Sequence, residues 1–341
     1  MLSFIEEDFS LVHRNTLGIQ ARARYFASAR SVEEIREALR FAGDRHLPVA
    51  VLGGGSNTVF ADDYIDGLVL AVDLEGVHFH GRAVEVAAGE NWHELVMETL
   101  RRDLYGLENL SLIPGYVGAA PIQNIGAYGA ELDRYFVSLD AIDRQSLDLV
   151  TMDSADCQFG YRDSIFKHDL KDRMIIVRVR LSLDDTFEAN LTYDDLRTEI
   201  EATHGSAGTS PTAMDISDAV CRLRRRKLPD PEQIGNVGSF FKNPEVSEAR
   251  YRRLLRQWPG LPSWPTSRGV KLSAAWMIEH LDLKGRAVGD AQVSSRHALV
   301  LVNAGHAQSA DVLALAATVQ ESVKDRFDVE LEIEPVIYRR I

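Results

Sequence analysis

Ile113-Pro114-Gly115-Tyr116-Val117-Gly118-Ala119-Ala120-Pro121-Ile122-Gln123-Asn124-Ile125-Gly126-Ala127-Tyr128-Gly129 is the stretch on which the fold turns. Four glycines, two prolines and several alanines fill seventeen residues without a single charge. A surface loop of this length carries more polar side chains. Long ordered loops without a role of their own are uncommon. Such a backbone can run against a flat ligand with its amides free to bond ring atoms. The alternative is a buried, glycine-rich packing crossover.

Upstream, Gly53-Gly54-Gly55-Ser56-Asn57 breaks the short apolar strand Pro48 to Leu52. Before that strand, Ser31-Val32-Glu33-Glu34 reads as a capping box, with Ile35, Leu39 and Ala42 at helical spacing behind it. A glycine loop after a strand is where a phosphate would be cradled. The dinucleotide fingerprint fails, because its sixth position is Thr58. No GK[ST] follows, so the loop is not a P-loop. It is either a nest of backbone N–H groups around a pyrophosphate or a tight turn.

The rest of the chain divides around these two loops. A small βαβ-type unit spans residues 1–66. A β-rich region spans 67–227, with strands expected over 67–72, 83–87, 137–142 and 174–183 and helices over 91–100 and 215–227. A third region, 228–328, alternates helices (247–258, 273–281, 310–326) with a buried strand at 298–302. Residues 329–337 read as a terminal strand that returns to an earlier domain.

Composition narrows the function. The 341-residue chain carries 38 basic and 51 acidic residues, a net charge of −13. That balance argues against nucleic-acid and anionic-membrane partners. Cys157 and Cys221 form no CxxC and have no zinc-ligand spacing, so free thiols and no metal site are expected. The N-terminus lacks a basic n-region and an apolar h-region, and no run reaches membrane-span length. A cytoplasmic, monomeric protein is expected.

Several polar clusters remain. Gly235-Asn236-Val237-Gly238-Ser239-Phe240-Phe241-Lys242-Asn243-Pro244 sets a serine between a glycine and two phenylalanines. There the hydroxyl either passes a proton or caps a backbone. Tyr161-Arg162-Asp163-Ser164-Ile165-Phe166-Lys167 holds an arginine suited to a carboxylate, or to an ordinary ion pair with Asp163. Arg222 to Lys227 is a basic run that suits a diphosphate, or a solvated helix end. Glu330, Glu332 and Glu334 alternate with apolar residues, which puts three carboxylates on one strand face. His78 and His80 share a strand face without metal-ligating companions.

Taken in order, GGGSN, PGYVGAAPIQNIGAYG, YRDSIFK, KLPDP and GNVGSFFKNP resemble the UDP-N-acetylenolpyruvoylglucosamine reductase family over nearly the whole chain. Leu191-Thr192-Tyr193 resembles its longer, type I branch. The resemblance implies an α+β chain: an FAD-binding fold of the vanillyl-alcohol-oxidase type in two subdomains, plus a third α/β substrate-binding domain. It implies noncovalent FAD, NADPH as reductant, and the enolpyruvyl ether of UDP-N-acetylglucosamine as substrate. FAD would be held by Gly53, Gly54, Gly55, Ser56, Asn57, Pro114, Gly115, Gly118, Ala119, Ile122, Gln123, Asn124, Gly126 and Tyr128. Ser239 corresponds to the proton donor. Arg162 and Glu334 correspond to the groups that stabilise the intermediate, with Glu332 the neighbouring candidate. Tyr193, Lys227, Asn243, Trp264 and Lys271 fall where the family contacts its substrate.

Two other readings stand beside this one. A different FAD-dependent oxidoreductase of the same fold, such as an alcohol oxidase, often tethers its flavin through histidine, and neither glycine-rich segment contains one. A UDP-sugar-binding module without catalysis would be expected to lack Ser239, Arg162 or the terminal glutamate.

Overall fold

The computed structural model describes residues 2–204, 210–266 and 268–339. Its first lobe is a four-stranded sheet in the order Ile5–Ser10, Arg22–Ala29, Tyr64–Val72, Val49–Leu52. The last three strands run parallel and the first is antiparallel to its neighbour. Helix Val32–Asp44 covers one face, burying Ile35, Ala38, Leu39 and Ala42 against the sheet. The Ser31 hydroxyl caps it by accepting from Glu34 N. The expected capping box is half formed, because the Glu34 carboxylate takes the N–H of Arg30 rather than of Ser31. The division expected between residues 66 and 67 cuts through strand Tyr64–Val72, which pairs on both edges within this lobe.

The second lobe is an antiparallel five-stranded sheet, in the order Leu149–Asp153, Phe136–Asp143, Met174–Ser182, Ala83–Ala87, Val77–His80. Helix Trp92–Arg101 starts on an Asn91 cap and packs the fully buried Trp92 into the core. The Trp92 indole N–H donates to Leu110 O at 3.0 Å, which settles its one buried polar group. His78 and His80 lie on the exposed face of their strand.

The third unit combines a sheet of Gly235–Ser239, Val300–Asn303, Ala291–Val293 and Ala287–Val288 with a smaller one of Glu245–Val246, Val270–Leu272 and Ser263–Pro265. Helices Glu248–Gln257, Ala274–His280 and Ser309–Phe327 complete it. Its core takes in Leu17, Ile19 and Val59 of the first lobe. The unit is also stitched there by Asn236 N to Thr16 O (3.0 Å) and Asn303 Nδ2 to Leu17 O (3.1 Å).

The chain end does not form one strand. Only Val336–Tyr338 is regular, and it pairs in parallel with Thr58–Phe60, directly after the glycine loop. Within 329–335 a single bridge joins Ile333 to Phe241.

Candidate active site

The two glycine-rich loops meet each other. Gly55 takes φ +66°, and a Cβ there would lie 2.1 Å from Arg14 O. Gly115 takes φ +107°, and its Cβ would lie 2.5 Å from Ser56 Oγ. Both positions therefore require glycine for the conformation and for close approach of chain to chain. The loops are joined by Ser56 Oγ to Pro114 O (3.1 Å) and Asn57 Nδ2 to Gln123 Oε1 (3.1 Å). The crossover is held on its other side by Trp92 N to Gly115 O (3.0 Å) and Gly118 N to Ala88 O (2.8 Å). None of the backbone N–H groups of Gly54, Gly55, Ser56 and Asn57 donates to an acceptor among the described residues. Four successive free amides in a partly exposed loop fit an anionic diphosphate.

At the far end of the crossover, buried Asn124 takes φ 42° and braces the turn. It donates to Gly160 O (3.2 Å) and accepts from Asp133 N (3.0 Å). Arg162 approaches this turn with φ 51°, a left-handed conformation uncommon for arginine. Its guanidinium donates to Gly126 O and points Nε at Glu334 Oε1, 3.7 Å away. Lys167 caps the Arg162 carbonyl at 3.0 Å. Lys167 carried no assigned role in the sequence, and its only signal was its place five residues after Arg162.

Glu334 and Glu332 part company here. Glu332 is exposed and pairs with Lys242. The Glu334 side chain is only 14% exposed and faces Arg162. Burial pushes its carboxyl above the ordinary glutamate value, against the pull of Arg162, Lys167 and Lys242. The lone Phe241–Ile333 bridge leaves Glu332 and Glu334 alternating about Ile333, and burial and partner separate them rather than strand face. Glu334 N donates to Phe240 O at 3.0 Å, which ties the chain end to the residue after Ser239.

Ser239 ends its strand beyond a break in register at Gly238, and it is partly exposed. Among the described residues its hydroxyl has no hydrogen-bond partner. Phe240 and Phe241 belong to the core of the third unit instead of lining a ligand surface, so they anchor the serine.

The expected substrate contacts fall in two groups. Lys271 Nζ lies 4.2 Å from the Tyr161 ring centroid and 6.0 Å from that of Trp264, close to Arg162. Burial and Arg162 push the Lys271 ammonium below its usual value. Asn243 Oδ1 accepts from Ala274 N (3.0 Å), capping the start of a helix. Tyr193 packs edge-on to Tyr128 at 5.2 Å, and burial raises the Tyr128 phenol to about 12. Lys227 is engaged by Asp195. The basic run is mostly structural. The buried Glu199 holds Arg222 and Arg226, and Arg224 donates to Leu112 O.

Family models match two parts of the chain. Residues 23–147 match an FAD binding domain, and residues 230–338 match the UDP-N-acetylenolpyruvoylglucosamine reductase C-terminal domain. The reductase of Ralstonia nicotianae is 46% identical over 98% of this chain and 100% of its own length. The chain belongs to the UDP-N-acetylenolpyruvoylglucosamine reductase family. The family member of Pseudomonas aeruginosa is 48% identical over 98% of this chain and 99% of its own. The crystal structure of the reductase from Thermus caldophilus superposes with a TM-score of 0.70 at 26% identity, covering 98% of this chain and 99% of that one. The FAD-binding fold, the enzyme class and the use of FAD and NADPH follow from that membership.

Proposed function

We propose that the site formed by Arg162, Glu334 and Ser239 carries out the family's reaction. The enolpyruvyl ether of UDP-N-acetylglucosamine is reduced to the lactyl ether, giving UDP-N-acetylmuramate for peptidoglycan synthesis. The observation that carries the assignment is the meeting of Arg162 and Glu334 at 3.7 Å, with Glu334 tied to the residue after Ser239.

FAD, when bound noncovalently and reduced by NADPH, supplies a hydride for the terminal carbon of the enolpyruvyl group. The free amides of Gly54 to Asn57 suit its diphosphate, and the Pro114 to Gly129 crossover suits its ring. As the new C–H bond forms, the double-bond electrons move to the adjacent carbon and into the substrate carboxylate. Arg162 meets that charge with fixed donors in a partly dry site, where they count for more than in water. Glu334, whose burial favours the proton, donates to or shares a proton with the enolate oxygen. The Ser239 hydroxyl, for which no acceptor among the described residues competes, delivers its proton to the adjacent carbon. Lys271, Tyr161, Trp264 and Asn243 suit one part of the substrate, and Tyr193 and Lys227 suit its nucleotide end.

Every group of the site comes from one chain, so a monomer is the proposed active unit. Among the described residues no helix is long and apolar enough to cross a membrane, and a cytoplasmic reaction is proposed. The test is anaerobic and has two steps. Purified protein is expected to be yellow, to bleach with NADPH, and to recolour on adding the enolpyruvyl UDP-sugar. A bleached protein that the substrate fails to recolour refutes the assignment.

A further inference from the structure

Asn109 is used by no step of this chemistry, yet it is almost wholly buried. It gives both amide N–H groups to backbone carbonyls, Tyr128 O at 2.8 Å and Asn190 O at 2.9 Å. The two acceptors serve different parts of the site. Tyr128 closes the flavin crossover, and Asn190 opens the segment that carries Tyr193. Asn190 ties the same two parts from the other side. Its Nδ2 donates to Gly129 O (3.0 Å), and its Oδ1 accepts from Thr192 N (3.3 Å) and Thr192 Oγ1 (2.7 Å). Leu191 and Tyr128 pack on the same apolar cluster beneath, formed by Leu196, Ile216 and Val220. Tyr193 stands above these ties, 41% exposed, with its ring against Tyr128.

We infer that Asn109, with Asn190, is a positioning residue that couples the flavin crossover to Tyr193 and so sets affinity for the uridine-diphosphate end of the substrate. This rests on the reading of Tyr193 as a substrate contact. The physical reason is order. An exposed aromatic ring that binding must immobilise costs affinity unless its backbone is already fixed. Asn109 and Asn190 fix it through bonds that no reacting group shares.

Calorimetric titration of UDP into flavin-loaded protein tests the coupling. Asn109→Ala and the more exposed Asn190→Ala are each expected to raise the Kd about tenfold, as loss of two or three such bonds implies, with the flavin spectrum unchanged. In steady state KM for the UDP-sugar rises while kcat stays within about threefold. The discriminating measurement is the cycle with Tyr193→Ala. If the asparagines act through the ring, Asn190→Ala adds less than about twofold once Tyr193 is gone. Additive losses, or an unchanged Kd in Asn190→Ala while Tyr193→Ala binds weakly, overturn the coupling. Wild-type UDP binding by Tyr193→Ala overturns instead the reading of Tyr193 on which the coupling stands.

Discussion

At the scale of single residues, the site depends on groups kept out of their usual state. Arg162 holds a left-handed backbone, and such strain persists only where neighbours over-determine it. Lys167 on its carbonyl and Gly126 under its guanidinium are those neighbours. Lys167→Met is expected to lower kcat about a hundredfold through misplacement of Arg162, with partial recovery in Lys167→Arg, as steady-state kinetics would show. Glu334 gives a pH prediction. An acid whose folded pKa is raised stabilises the fold below its unfolded value and loses that contribution as pH rises through the folded one. The melting temperature of Glu334→Gln relative to wild type is therefore expected to increase as pH climbs from the ordinary glutamate range through the raised value. A difference flat with pH would mean that Glu334 is not held against ionisation. The choice between Glu332 and Glu334 was open in the sequence, because alternation alone places both on one face. Burial separates them, and only the folded chain shows which carboxylate is enclosed beside Arg162.

At the scale of elements, the helices were legible because their ends carry side-chain signals. Asn91, Ser247 and Ser273 each accept from a backbone N–H at their helix start, where the sequence expected helices to begin. Thr212 and Asp215 form a full capping box on helix Ala213–Lys227. Thr212→Ala is expected to cost about 1 kcal/mol in urea unfolding, since one cap is lost. The strands were harder. Ile5–Ser10 and Arg22–Ala29 lie at the first lobe's edge and interior, and the turn residues Asn15 and Gly18 between them do not by themselves mark a strand on either side. The pairing of Arg22–Ala29 with Tyr64–Val72 is decided by a partner far along the chain. The glycine loops were legible as special but not as to why. Their glycines answer first to each other and to Arg14, and the ligand is left the free amides. Gly55→Ala is expected to give a folded protein that no longer retains flavin through gel filtration, because the loop must shift away from Arg14 O. Full flavin retention in that variant would contradict the role given to the loop.

At the scale of the molecule, the chain's last residues close the structure. Val336–Tyr338 pairs beside the glycine loop, the Tyr338 hydroxyl donates to Val51 O, and Glu334 enters the site on the way. A chain ending at Asp328 is expected to lose turnover and flavin affinity together, measured by absorbance and thermal melting. The order of motifs along the sequence carried the fold class and the family, since each motif had its place in one known architecture. The same order said nothing of how the third unit shares its core with Leu17, Ile19 and Val59, because burial between distant segments leaves no local pattern. It also left the basic run looking free, whereas Glu199 and Asp195 pair with three of its five charges. The central claim is that Ser239 delivers the proton after hydride transfer, and anaerobic stopped-flow of Ser239→Ala tests it most directly. Bleaching of the bound flavin by NADPH at the wild-type rate is predicted. Recolouring by the enolpyruvyl UDP-sugar is predicted to slow by about a hundredfold to ten-thousandfold, because hydride addition is reversible until the adjacent carbon takes its proton. Recolouring at the wild-type rate would contradict the account.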